Sequence, residues 1–315
     1  MTAAIFTVNC EAIHCEKHRF LQGRGLFMKT VVVTGATSGI GFAVCAELLE
    51  SGCRVIGIGR SEENCRAARE KLLSVNPKYD MTFLWGDLMQ QSEVLRVAGE
   101  IRGELECSSG GALHALVNNA GCVRSWYMTT GEGYEQQFAL NHLAGFLLTH
   151  ELLKNLMRGG GRILFTSSGS HKMMKMNWKD LMFEKRYRPL YAYKQSKLCN
   201  MLTAFELSDR YSGRGIRAYG IDPGLVRTEI GCKNTGKLVD FVWKRRKRHG
   251  VDPSVPAKVY AGLITGDTQA DGLYYGIGGL TKHSGEVNKQ NAVRLFGVSE
   301  KLCKIKFGVS EECLS

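Results

Sequence analysis

Short runs of consecutive apolar residues alternate through most of this chain with longer stretches in which apolar residues return every three or four positions. The runs at residues 30–34, 55–58, 81–85, 113–117, 162–165 and 216–221 have the length of strands buried on both faces, and 273–277 is a candidate seventh. The stretches at 39–49, 64–75, 92–102, 134–157 and 191–211 read as helices; in the first, Ile40, Val44 and Leu48 form one stripe. Alternation of helices with uninterrupted apolar strands predicts an α/β fold, a doubly wound parallel sheet with helices on both faces. With no internal repeat and only 5 prolines, nothing marks a linker, so one domain is predicted over residues 28–315. Residues 1–27 stand apart. They show no clean periodicity, lack the apolar run of a secretion signal, and carry Glu11 and Glu16, which a transit peptide avoids. They are expected to be a disordered extension ahead of the fold, with Met28 an alternative start.

Composition narrows the class. The chain has 315 residues, 44% of them hydrophobic, enough for a large core. Its 11 scattered cysteines form no Cys-x-x-Cys pair and, with 8 histidines, no zinc spacing. Reduced thiols in a cytoplasmic protein are expected, some of them core filler such as Cys45 and Cys199, and no metal. The net charge of +12 is largely dispersed, which argues against a nucleic-acid partner. No stretch reaches the ~18 apolar residues of a membrane-spanning helix. The densest basic run, Lys244-Arg245-Arg246-Lys247-Arg248-His249, reads first as a solvated face, with a peripheral contact to anionic lipid, a nucleic acid or an acidic partner as the alternatives.

Two motifs carry chemistry. Residues 34–41 follow a strand and open a helix, and read Thr-Gly-Ala-Thr-Ser-Gly-Ile-Gly. Gly35, Gly39 and Gly41 let the backbone turn and approach a pyrophosphate, while Thr37, Ser38 and Ile40 lead into a helix N-terminus whose free N–H groups suit an anion. The second predicted strand ends in Gly59-Arg60-Ser61. An acid there would bond the adenosine ribose hydroxyls; the Arg60 guanidinium instead suits a 2′-phosphate, which favours NADP(H) over NAD(H). The other motif is Tyr193 with Lys197. Four residues apart on a helix, they share a face. A phenol ionises near pH ~10, and a cation beside it favours the phenolate, so the pair can exchange a proton with an alcohol or carbonyl oxygen.

With loop and pair together, the chain resembles the short-chain dehydrogenase/reductase family, from Met28 to about residue 230. The resemblance implies a Rossmann-type fold and assigns further residues. Asp87 and Leu88 match the segment that reaches the adenine, and Asn118, Ala120 and Gly121, with Asn119, match the motif beside the cofactor on the central sheet. Asn141 matches the residue that supports a proton-relay water, and Ser168 the serine that holds the substrate oxygen, with Ser167 the second candidate. Pro223, Gly224, Val226 and Thr228 match the loop that contacts the nicotinamide, after which a substrate lid is expected. Pairing through the long helices as a homo-oligomer is implied in the same way.

The long segment between Ser168 and Tyr193, and Ser196-Lys197-Leu198-Cys199-Asn200, resemble the retinol-dehydrogenase-like branch. That implies an apolar carbonyl, or a primary or secondary alcohol, as substrate. Asp222 departs from the branch, which often has histidine there. The expected function is hydride transfer between NADP(H) and such a substrate. The alternative is an NADP(H)-binding redox sensor or scaffold without turnover, which has no need of Asn141, Ser168, Tyr193 and Lys197 together. Met173, Met174 and Met176 line an apolar pocket or pack in the core. His142 and His171 are expected to be structural.

Overall fold

The computed structural model describes residues 28–227, 250–266, 270 and 272–308. Within them, eight strands form a single sheet in the order β3-β2-β1-β4-β5-β6-β7-β8. The strands are β1 (Thr30–Thr34), β2 (Arg54–Gly59), β3 (Met81–Trp85), β4 (Ala115–Asn118), β5 (Arg162–Thr166), β6 (Arg217–Asp222), β7 (Tyr274–Gly276) and β8 (Gly279–Leu280). Every pairing is parallel except the last, a β7–β8 hairpin. The apolar runs are continuous because each strand feeds two cores. Val32, Leu116, Ile163, Phe165 and Ala218 enter one, and Val31, Val33, Ala115, Val117, Leu164 and Tyr219 enter the other.

Seven helices cover these faces among the described residues. On one side lie α1 (Gly39–Glu50) and α8 (Ser254–Thr265), packed on each other, with Leu72 of α2 (Glu62–Val75) reaching the same core. On the other lie α3 (Gln91–Ser109), α5 (Ala144–Glu151), α7 (Pro189–Tyr211) and α9 (Lys289–Cys303), with α9 laid along α7. Cys45 and Cys199 are buried in these layers, as expected.

Three differences from the sequence reading have local causes. First, α3 runs seven residues past 102, because Gly103 sits in open space and Leu105 still reaches the core. Second, the helix expected over 134–157 is broken. Buried Glu135 caps a short α4 (Gln136–Phe138) by accepting from the Gln137 and Phe138 amides, a wide π-turn follows at Ala139–Leu143, and α5 passes at Leu152 into α6 (Leu153–Arg158). Third, α8 and α9 were not anticipated. The expected extension at 1–27, Thr228, the lid and the basic run at 244–249 lie outside the described residues.

Candidate active site

The sheet's parallel strands β1, β4, β5 and β6 all end on one edge, and every proposed site residue within the described chain comes from a segment that leaves this edge or from a helix beside it. The turn after β1 is tight. Gly35 has φ +67°, a conformation costly for any residue with a Cβ. A Cβ on Gly41 would stand 2.2 Å from the Gly35 carbonyl oxygen and 2.6 Å from Asn119 Nδ2, so α1 can start against the turn only with glycine there. Ser38 stands at the α1 N-cap in extended conformation with no side-chain cap bond, which leaves the helix's first amides open toward the edge. Thr37 half-covers the end of β2: a Cβ on Gly59 would lie 2.4 Å from Thr37 Cγ2 and 2.5 Å from Cys65 Sγ. No side chain fits at Gly59, and Arg60 is the first residue there to reach solvent.

A line of polar side chains ties this turn to the centre of the sheet. The Thr34 hydroxyl donates to the Val117 carbonyl (3.2 Å) and accepts from the amides of Asn119 (2.9 Å) and Ala120 (3.0 Å). Asn119 Nδ2 donates to the Thr34 carbonyl (3.0 Å), and its Oδ1 accepts from the Thr166 hydroxyl (3.3 Å), which also bonds the buried Tyr260 hydroxyl of α8 (2.8 Å). Asn118 faces the other core, its Nδ2 donating to Thr149 (3.2 Å). Asp87 is half-buried at the end of β3, where its Oδ1 accepts from the Met89 amide (3.3 Å), and Leu88 packs in the core.

Tyr193 and Lys197 share a face of α7, with Lys197 Nζ 5.6 Å from the phenol ring centroid. The ammonium is 2% exposed and donates to the Thr166 carbonyl (3.0 Å), an oxygen that Asn200 Nδ2 also reaches (3.1 Å). Burial lowers its pKa from 10.5 to about 8, partly offset by Cys122. Gly121 passes alongside: a Cβ there would lie 3.6 Å from Lys197 Nζ and 3.1 Å from Asn141 Oδ1. The π-turn aims buried Asn141 at this loop. Its Oδ1 accepts from the Cys122 amide (2.7 Å), and its Nδ2 donates to the Cys122 carbonyl (3.0 Å) and to Ser196 Oγ (3.0 Å). Both amide hydrogens are therefore used, one holding the 120–122 turn and the other reaching α7.

Geometry separates the two serines. Buried Ser167 donates to the Lys197 carbonyl (3.0 Å), whereas half-buried Ser168 accepts from the Ser170 amide (3.3 Å) and meets its hydroxyl (3.0 Å). Of the two, only Ser168 is partly exposed. Pro223 is buried, Gly224 is exposed, and Val226 bridges to Val251. Met174 and Met176 belong to the core, while Met173 is 64% exposed near Ser168. His142 is fully buried with Nε2 2.8 Å from Ser299 Oγ, and burial pulls its pKa to about 3, so it is neutral. Among the described residues no cluster of His, Cys, Asp or Glu is fit to hold a metal, and no helix is long and apolar enough to cross a membrane.

Sequence comparison places this geometry in a class: the short chain dehydrogenase profile matches residues 29–237, and the chain belongs to that family. Within it the similarity is to retinol dehydrogenases. Human retinol dehydrogenase 12 is 31% identical over 287 residues, which are 89% of this chain and 87% of that one. Mouse retinol dehydrogenase 12 is 34% identical over 69% of this chain and 66% of its own length, and human retinol dehydrogenase 13 is 37% identical over 66% and 62%. The latter two matches thus span just under two thirds of those relatives. Among solved structures, an uncharacterized protein from Mycobacterium paratuberculosis superposes with a TM-score of 0.68 at 27% identity, covering 89% of this chain and 95% of that one. An alcohol dehydrogenase from Thermococcus sibiricus, complexed with 5-hydroxy-NADP, shares the fold with a TM-score of 0.61 at 19% identity, over 84% and 99%.

Proposed function

We propose that the protein transfers a hydride between NADP(H) and an apolar carbonyl or alcohol. The observation that carries this reading is the buried Lys197 ammonium beside the Tyr193 ring, one strand end away from a glycine turn that Cβ atoms would fill. That cradle suits a dinucleotide: the open amides of α1 face a pyrophosphate, Thr37 and Ile40 flank it, and Asp87 with Leu88 stands at the adenine end. Ala120, Gly121, Gly224 and Val226 stand at the nicotinamide end with buried Pro223 behind them, while Asn118, expected to join them, turns its side chain into the other core toward Thr149. Arg60 meets a 2′-phosphate, and the lack of room at Gly59 keeps an acidic side chain out of the neighbouring position at the strand end.

When bound, the nicotinamide supplies the hydride. The chain does the rest. Ser168 and Tyr193 hydroxyls donate to the substrate oxygen and stabilise its developing charge. Tyr193 then gives up its proton, and Lys197, still protonated at neutral pH, favours the phenolate left behind. Asn141 fixes the 120–122 turn against Lys197, and a relay water is met by the widened backbone of the π-turn rather than by the Asn141 amide. Exposed Met173, Leu225 and Ile277, at the ends of β5, β6 and β7, supply apolar contact surface on the substrate side.

Fluorescence titration with NADPH and NADH, followed by turnover of aliphatic and aromatic aldehydes and ketones, tests the proposal. Tight NADPH binding with oxidation on apolar carbonyls is expected; binding without turnover of any carbonyl or alcohol would contradict it. Arg60→Asp should lower the NADPH-to-NADH efficiency ratio at least about tenfold, the size of one lost charge-assisted contact. An unchanged ratio would remove Arg60 from cofactor choice.

A further inference from the structure

One carboxylate on the catalytic edge has no part in the scheme above. Asp222, the last residue of β6, accepts hydrogen bonds at both oxygens: at Oδ1 from the Gly224 amide (3.0 Å) and at Oδ2 from the Tyr274 hydroxyl (2.9 Å). The Oδ2 atom also lies against the chain just past Ser168, since a Cβ on Gly169 would stand 2.9 Å from it. Tyr274 is fully buried at the start of β7 and meets the His171 ring edge-on, centroids 4.9 Å apart at 84°. His171 is buried too, and its Nδ1–H donates to the Ser168 carbonyl (2.7 Å). Its Nε2 accepts from the Ser284 amide (3.3 Å), so the ring is the neutral Nδ1–H tautomer. Burial holds its pKa below the ordinary histidine range, consistent with that state, and Lys172 Nζ sits 5.3 Å over the Tyr274 ring.

We propose that Asp222, through Tyr274 and His171, is a positioning residue that sets Ser168 and the 223–227 loop in register with each other. The inference rests on the roles given above to Ser168 and that loop. Its logic is acceptor chemistry. Two donors, one from the loop backbone and one from a buried phenol, converge on one side chain, and only a carboxylate offers a free oxygen to each. The same phenol packs on the imidazole that grips the Ser168 carbonyl. The two segments that must meet substrate and nicotinamide together are thus clamped from behind by one group. Asparagine retains an acceptor for Gly224 but leaves the Tyr274 proton unmatched; alanine loses both.

The test compares Asp222→Ala, Asp222→Asn and Tyr274→Phe, each alone and with Ser168→Ala, by kcat for NADPH-dependent carbonyl reduction and by NADPH Kd. Asp222→Ala should lower kcat roughly tenfold or more and weaken NADPH several-fold, the scale of one or two buried groups left unpaired. Asp222→Asn should regain most of the NADPH affinity. Tyr274→Phe, the mildest change, should lower kcat while leaving NADPH Kd near wild type. In the Ser168→Ala background, neither Asp222→Ala nor Tyr274→Phe should lower kcat much further, since the residue they position is gone. Losses that multiply in the double variants, or an NADPH affinity that falls as much in Tyr274→Phe as in Asp222→Ala, would overturn the coupling. Wild-type turnover in Ser168→Ala alone would overturn the reading of the site itself, and the coupling with it.

Discussion

The turn after β1 and the turn after β6 open onto the same edge of the sheet, yet they are held by opposite means. The first is mostly close-packed backbone: Gly35 and Gly41 leave no room for a Cβ, and the one side chain that grips it is Asn119, which donates to the Thr34 carbonyl. The second is held by side chains from far along the chain, Tyr274 and His171, acting through Asp222. Between them stands Lys197, a cation buried at some cost. A dinucleotide's phosphates need only amides and space, which local sequence supplies. A reacting carbonyl needs hydroxyls and charges fixed relative to one another, which only long-range contacts supply.

Lys197→Met breaks the comparison hardest. Turnover should fall by about 10³, within the range of general acid–base catalysis. Stability should move the other way. Because the folded-state pKa of Lys197 is about 8 against 10.5, folding releases a proton between these values, so its contribution to stability rises with pH across pH 8 to 10.5. Below pH 8 the buried cation costs on the order of 3 kcal/mol, since each pKa unit is about 1.4 kcal/mol. Asn200 still satisfies the Thr166 carbonyl in the variant. At pH 7 the methionine form of the cofactor-free protein should therefore melt higher than wild type, and the gap should narrow toward pH 10; a lower melting point at pH 7 would mean that the ammonium is a net stabiliser.

The two serines sharpen the contrast at smaller scale. Ser168→Ala should cost turnover roughly 10²-fold, the effect of one oxyanion donor. Ser167→Ala should leave turnover within a few-fold and lower stability by about 1 kcal/mol, the loss of one buried hydrogen bond. Kinetics and melting curves on the same preparations separate these outcomes, and a swap of the two phenotypes would exchange the serines' roles. On the cofactor side, Gly41→Ala forces its methyl against the Gly35 carbonyl and should weaken NADPH about tenfold while leaving the Lys197–Tyr193 pairing intact. Unchanged affinity would show that the α1 start has room to move.

The same contrast explains what the sequence made readable. The parallel sheet followed from period alone, and the glycine turn from spacing next to a strand and a helix. Pairing Tyr193 with Lys197 needed only the helical repeat. The π-turn that aims Asn141 did not, because Leu140, Leu143 and Leu147 keep an ordinary helical stripe across it and the widening is visible only once Asn141 bonds Cys122. Helix α9 carries a readable stripe, Ala292, Leu295, Phe296 and Cys303, behind an Asn288 cap, but it follows the last strand, where alternation gives no cue. In α8, Pro256 in the first turn masks an otherwise regular pattern of Ala257, Tyr260, Ala261 and Ile264. Ser167 and Ser168 are chemically alike, and only their partners tell them apart. The Asp222–Tyr274 contact joins residues 52 positions apart, a distance over which no periodicity speaks.

Tyr193→Phe tests the central claim most directly. Mixing the variant's NADPH complex with a reducible carbonyl in a single turnover isolates proton and hydride transfer from binding and release. The account predicts wild-type NADPH affinity and a chemical step slowed by at least about 10³. An unslowed step would show that the proton comes from elsewhere, and that the Tyr193–Lys197 pair is a structural feature of α7.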